Sequence, residues 1–573
     1  MAVIRADTPV ALPAREAVIR PQASRDDWLM RALLAVVALF FLAALVFPLW
    51  TIFSRSLRNR AGEFVGLANY ATYFETPALS ISIWNSITVS AISAAITIGL
   101  AFLYAYGITR TAMPFKGVFR LIALIPILTP SLLPGISLIY LFGNQGMLKE
   151  LLFGTSIYGP LGIVIGEVFY CFPHAFLIVS TALALADQRL YEAATSLGAG
   201  RWRVFWTVTV PGAKYGLIGA AFVVFTLVIT DFGVPKIIGG SFNVLATDIY
   251  KQVVGQANFQ MGAVVSVVLL APAVLAFAVD RLVQRRQVAL LSARAVPLEP
   301  KRSPRLDYAY LAICGVIAFL VLGMLGVSAF ASFVTLWPYN LTLSLKNYRF
   351  DLMDGGGWAA YYNSIEMAAW TAVIGTAIVF IGAYLVEKTR GLGPVRTAVH
   401  FLAMLPMAIP GMVLGLAYIF FFNNPSNPLY ILYHTMAILV ISTIIHFYTV
   451  CHLTAVTALK QMDAEFEAVS ASLKVPVWKT FFRVTVPIAL PAILDISVYY
   501  FVNAMTTVSA VVFLYSVHTT LASVAVLNMD DAGDVAPAAA MAMMIFYTSA
   551  AVKLLHMAAT RGLLTRTQAW RQR

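Results

Sequence analysis

Four side chains able to hold or pass a charge stand inside long apolar runs of this sequence: Glu167, His174, Asp231 and His452. Sinking such groups into hydrocarbon costs several kcal/mol, so each is a candidate for lining a solute pathway. The competing reading is a buried hydrogen bond between packed helices. Asp231 lies in Ile229-Thr230-Asp231-Phe232-Gly233-Val234-Pro235, near the end of its run. The matching place later in the chain is Thr507, flanked by Thr506 and Ser509, so one carboxyl and several hydroxyls would frame a passage unequally. Nothing in the sequence binds nucleotide through a G-x-x-x-x-G-K-[ST] loop. Cys171, Cys314 and Cys451 all fall in apolar segments and read as small core residues; no metal framework is expected.

The elements that position these groups follow from composition. The chain has 573 residues, 60% hydrophobic and 11% charged. A soluble protein of that size needs far more surface charge. Apolar runs of about 20 residues, enough to cross a bilayer, recur throughout. We place spans at 29–53, 84–109, 118–142, 159–186, 214–237 and 261–283, then at 308–333, 363–387, 398–422, 430–459, 488–513 and 537–560. The segments around Pro126 and Pro406 are candidates for broken helices. The fold class is therefore an all-α polytopic membrane protein of about twelve transmembrane helices. The net charge of +13 sits in clusters beside the spans, which fits positive-inside topology better than a nucleic-acid partner.

An internal repeat divides the chain. Asn85-Ser86 recurs as Asn363-Ser364, Leu124-Ile125-Pro126 with Pro130 as Met404-Leu405-Pro406 with Pro410, and Phe169-Tyr170 with His174 as Phe447-Tyr448 with His452. The expected organisation is a tail at 1–28, a first repeat at 29–283, a basic linker at 284–306, a second repeat at 307–562 and a tail at 563–573. Six spans per copy make the repeats parallel, with the pathway between them. Basic residues of the tail (Arg5, Arg15, Arg20), the linker (Arg294, Lys301) and the loops after spans 2 and 8 (Lys116, Arg120, Lys388, Arg390) put both termini in the cytoplasm. Arg55, Arg58 and Arg60 run against that rule. Segments 238–260 and 514–536 then fall outside as long loops.

Between the fourth and fifth spans of each copy lies a polar, helix-forming island. The first runs through Glu192, Ala193, Ala194, Gly198, Trp202, Phe205 and Trp206 to Pro211; the second through Glu467, Lys474, Trp478, Phe481 and Phe482 to Pro487. From Trp202 and from Trp478 they align without a gap as W-x-x-F-x-x-V-T-V-P. Gly198 suits a left-handed turn between two helices, and the aromatics at i, i+3, i+4 give one apolar face. In the second copy Ala468 and Lys474 replace Glu192 and Gly198. A lysine in such a turn costs about 1 kcal/mol more than glycine, so the second island is expected to turn differently or couple less strongly.

These islands resemble the EAA loops of permease subunits of binding-protein-dependent ABC importers, where two short helices dock into a cleft of the ATPase. The resemblance covers nearly the whole chain. It implies two parallel six-helix repeats with cytoplasmic coupling loops, in a multi-pass protein of the bacterial inner membrane. It also implies two copies of an ABC ATPase subunit and a periplasmic substrate-binding protein as partners. ATP-Mg would belong to the ATPase, with no cofactor bound by this chain and no catalysis of its own. Segments 230–252, 503–507 and 527–534 are similar to fused 2-aminoethylphosphonate permeases; ferric-iron permeases are the alternative. For the aminophosphonate, Asp231 would meet the ammonium, and Thr506, Thr507 and Ser509 the phosphonate. Ferric iron would ask for more carboxylates or tyrosine oxygens. A twelve-span secondary transporter is the reading from another class, and it would have no use for docking loops.

Overall fold

The computed structural model describes residues 24–567 except Ala186, 291–297, Lys301, Arg390, Gly391 and Ala464, and the side chains of 284–290 and 561–567 fall outside that description. The tail arginines Arg5, Arg15 and Arg20, the linker residues Arg294 and Lys301, and Arg390 thus lie outside the described residues. Among those described, nine helices are long and apolar enough to cross a membrane, or twelve if each of three bent pairs counts as one span.

The first span begins at Arg25, four residues before the apolar run. Ser24 and Asp27 form a reciprocal cap there, the Asp27 N–H donating to Ser24 Oγ at 3.1 Å and the Ser24 N–H to Asp27 Oδ2 at 2.9 Å. The third span is two pieces, Lys116–Leu128 and Leu132–Phe142, bent by 103°, and the ninth is Gly393–Ala408 and Gly411–Phe422, bent by 114°. Thr129 and Ile409, each preceding a proline, are extended, which no helix continues through. The tenth span also breaks, by 58° at Phe447, although no proline stands there. Its counterpart Pro160–Ala184 is continuous despite Pro173.

The fifth and eleventh spans differ from the expected boundaries in two ways. Each begins inside the polar island, as unbroken rods Arg201–Thr230 and Val477–Thr506. Each then stops at its pathway candidate, since Asp231 and Thr507 both adopt extended backbone (ψ 138° and 137°). Beyond these stops, segments 238–260 and 514–536 are not free loops. They fold back as short helices Leu245–Tyr250 and Ala522–Asp531, in which Leu245, Ala246, Ile249, Ala522 and Leu527 are fully buried. The Asn-Ser repeats hold them in place. Ser86 Oγ accepts from the Leu245 N–H at 2.8 Å and Ser364 Oγ from the Ala522 N–H at 2.7 Å. Asn85 and Asn363 each donate to a carbonyl just upstream, at 3.0 Å.

The two repeats are interlocked and do not simply lie side by side. The first span packs on the second repeat, where Tyr418 Oη donates to the Ala44 carbonyl at 2.6 Å and the Phe41 and Tyr448 rings meet edge-on at 4.8 Å. The seventh span, Pro304–Phe333, packs on the first repeat through Tyr310 stacked on Tyr106 and Ser328 bonded to Ser137 at 2.7 Å. Cys171, Cys314 and Cys451 are all buried free thiols.

Candidate functional site

The polar islands become two matching projections. The first helix, Gln188–Ser196, starts at Asp187, whose carboxylate accepts from the Arg189 N–H at 3.1 Å. It ends in a left-handed turn at Gly198 (φ 76°), closed by Gly198 N–H to Thr195 O at 2.9 Å and Ala199 N–H to Ala194 O at 3.0 Å. The second, Glu465–Ser472, closes identically: Lys474 is left-handed (φ 55°), with Lys474 N–H to Ala471 O at 3.1 Å and Val475 N–H to Ser470 O at 3.0 Å. The expectation that copy two turns differently is therefore corrected. The paired hydrogen bonds stabilise the reversal enough to hold a lysine where glycine is easier.

The aromatic triplets divide their labour. Phe205 faces inward against Phe102 and Tyr106 (5.9 and 6.1 Å), as Phe481 does against Phe380 and Tyr384 (5.9 and 4.9 Å). Trp202, Trp206, Trp478 and Phe482 face outward, with Trp202 73% exposed. Leu197 and Leu473 at the turns are exposed as well. Each projection thus presents an uncovered apolar surface on a stiff support. Of the short second helix expected from the resemblance, the structure makes the first turns of a span, so Trp202 and Trp478 stand at the start of thirty residues of continuous helix. The carboxylates differ. Glu192 is exposed and accepts from Gln188 Nε2 at 2.7 Å, whereas Glu467 is held by Lys388 at 2.9 Å. Ala193 is exposed and Ala194 partly so.

Inside the molecule, the structure brings two of the ionisable candidates together. Glu167 is fully buried, and its carboxyl approaches that of Asp231 closely enough to interact directly, with Ser131 beside them. Asp231 Oδ2 also accepts from the Val234 N–H at 2.9 Å, and Cys171 Sγ lies 3.9 Å from Glu167 Oε2. Glu167 Oε1 finds no partner among the described residues. The Tyr170 phenol lies beside both carboxyls and Tyr499 of the other repeat lies near Tyr170; Asp231 and both tyrosines keep accessible surface. Sequence reasoning missed the tyrosines, because nothing marks Tyr499 until the repeats are packed together.

The other candidates lie elsewhere. His452 is buried and bonded to His400 (3.1 Å), the arrangement of an interhelical hydrogen bond. His174 is partly exposed, near Tyr170. Thr506 Oγ1 donates back to its own helix at Val502, Thr507 is buried with its carbonyl accepting from Ser523, and Ser509 sits against Gly411. Of these hydroxyls, that of Thr506 is thus engaged by its own helix. No cluster of three or more His, Cys, Asp or Glu side chains suited to a metal occurs among the described residues. A cavity of about 490 Å³, lined by Arg281, Thr454, Thr457 and Gln461 among others, opens at the projection end of the second repeat.

Two interlocked repeats of membrane-length helices, each with a stiff apolar-tipped projection, define a membrane component of a transport system. The comparisons agree: residues 100–288 and 378–563 match the family described as binding-protein-dependent transport system inner membrane component, and the chain belongs to it. Among relatives, a putative ferric transport system permease protein of Haemophilus influenzae is 28% identical over 86% of this chain and 79% of its own length. The ferric transport system permease protein of Actinobacillus pleuropneumoniae is 28% identical over 89% of this chain and 75% of its own. The crystal structure of a bacterial alginate ABC transporter, in complex with an alginate-bound periplasmic protein, covers 47% of this chain and 97% of its own at 17% identity and a TM-score of 0.38.

Proposed function

We propose that this chain carries both permease copies of an ABC importer, and that it passes a small solute carrying positive charge whose cationic part is received by Glu167 and Asp231. The observation that carries this is the pair of neighbouring carboxyls inside the molecule, with one Glu167 oxygen unpartnered among the described residues and the Tyr170 phenol beside them. Two like charges so placed repel, and a passing cation relieves the repulsion. Ferric iron is the favoured solute. The relatives matching most of the chain are ferric permeases by name, and carboxyl and phenol oxygens are the donors a hard cation prefers. 2-Aminoethylphosphonate is the second reading, favoured by the likeness of segments 230–252 and 527–534. Its ammonium would meet the same carboxyls, although Thr507, one of the residues expected to take its phosphonate, is buried and the Thr506 hydroxyl is bonded to its own helix.

In this reading the projections lie in the cytoplasm, each engaging one copy of a separate ATPase that binds ATP-Mg. A periplasmic binding protein delivers solute at the opposite face of the inner membrane. Uptake of radiolabelled ferric iron and of labelled 2-aminoethylphosphonate, in cells supplying the cognate ATPase and binding protein, tests the proposal. Iron uptake lost in Asp231→Asn and Glu167→Gln is expected. Uptake of the aminophosphonate alone would replace the solute. Wild-type uptake in both variants would remove the carboxyl pair from the pathway.

A further inference from the structure

The second projection is fastened from an unexpected direction. Because the first span packs on the second repeat, its start lies beneath the second island. There Asp26 Oδ2 accepts from the N–H of Val477 at 2.9 Å. Val477 opens the rod Val477–Thr506, and the N–H groups of a first helical turn have no partner within the helix. Pro476, which precedes it, provides no side-chain cap. An aspartate from a segment 451 positions away supplies one, and its charge suits the positive end of a long helix. The same carboxylate lies near Tyr384, the ring on which Phe481 rests. The first projection also receives a strand of chain from outside its repeat: the Glu299 N–H, ahead of the seventh span, donates to Gln188 Oε1 at 3.2 Å.

We propose that Asp26 is a positioning residue for coupling: it ties the second projection to the first span, so that a push on the projection moves the rod and the first span as one body. This rests on the reading of the projections as ATPase docking sites. The two ends of the bond can be cut independently. Asp26→Ala removes the acceptor. Val477→Pro removes the donor and trades the core-packed Val477 side chain for a ring, while the backbone is kept, since the first helical position tolerates proline and Pro476 already has the extended backbone that a following proline requires.

The complex with its own ATPase and binding protein is assembled in nanodiscs, and hydrolysis is measured with and without loaded binding protein. Each variant should lower the stimulated rate roughly fivefold, the scale of a lost helix cap. Basal hydrolysis and the amount of bound ATPase should be unchanged. The double variant should be no worse than either single one, because both cut one bond. A wild-type stimulated rate in either variant, or effects that multiply in the double, would overturn the proposal. So would reduced thermal stability with an unchanged ratio of stimulated to basal rate, which is the mark of a merely structural contact. Trp478→Ala checks the underlying reading separately. If ATPase binding survives it, the docking assignment fails whatever Asp26 does.

Discussion

The left-handed turns at Gly198 and Lys474 allow one prediction to be worked from geometry. Both close with the same pair of hydrogen bonds, and both hold φ between 55° and 76°. An added Cβ at Gly198 would meet nothing within 4 Å, so any cost of a side chain there is conformational and not steric crowding. Gly198→Lys should then cost about 1 kcal/mol, and Lys474→Gly should return about the same. In equilibrium terms each is about a fivefold change in turn opening. A β-branched residue is a stronger outlier in this region, so Gly198→Val should cost about 2 kcal/mol. Lys474→Val should lose less, because that position already carries a Cβ. The readout is amide exchange at Ala199 and Val475, whose N–H groups close the turns across five residues. Exchange at Ala199 should speed about fivefold in Gly198→Lys, and exchange at Val475 should slow by a similar factor in Lys474→Gly. Unchanged exchange in both would show that the projections are held by other contacts and that the turn argument is wrong.

Two further outcomes follow from the opposite end of the molecule and from the interior. Burial pushes the Asp248 carboxyl up to about 6 from an ordinary 3.8, against the lowering effects of Ser82 and Lys251, and Tyr73 is the other titratable group facing it. The folded state therefore holds this proton more tightly than the unfolded one, and stability should fall as pH rises from about 4 to 6. Burial raises Asp530 to about 6 as well, so melting of the purified protein across that range should lose part of its slope in Asp248→Asn and more when Asp530→Asn is added; an unaltered profile in both would mean that neither carboxyl is its source. In the interior, a Cβ at Gly233 would sit 2.1 Å from Ser131 Oγ, so Gly233→Ala should destabilise by about 1–3 kcal/mol. Ser131→Gly in the same chain should restore part of the loss in a thermal-melting assay.

What was legible from the sequence was whatever hydrophobic length and exact repetition encode. Span number, the parallel repeat and the two projections all rest on runs or motifs that need no partner to be recognised. The fold-back helices were not legible, because Leu245–Tyr250 and Ala522–Asp531 are too short for any periodicity to separate them from loop. Their signal was present but indirect: Asn85-Ser86 and Asn363-Ser364 repeat because each must hold the start of one of these helices. The Ser131–Gly233 contact shows the same limit from the other side. In the second repeat it reappears with its members exchanged, Gly411 against Ser509, where a Cβ would come within 2.3 Å of the hydroxyl. Read position by position, these are two mismatches between the repeats. Read as a pair, they conserve one small–polar contact between a broken span and the turn that follows Asp231 or Thr507. The candidate site was legible to the same degree. Glu167 and Asp231 stood out singly as charges in apolar runs, but their meeting, and the approach of Tyr499 from the other repeat to Tyr170, depend on packing between segments that no local pattern joins. The polar side chains at matching places of the two repeats thus differ, Asp231 against Thr507, whereas the contact that shapes the turn beside them recurs as a pair.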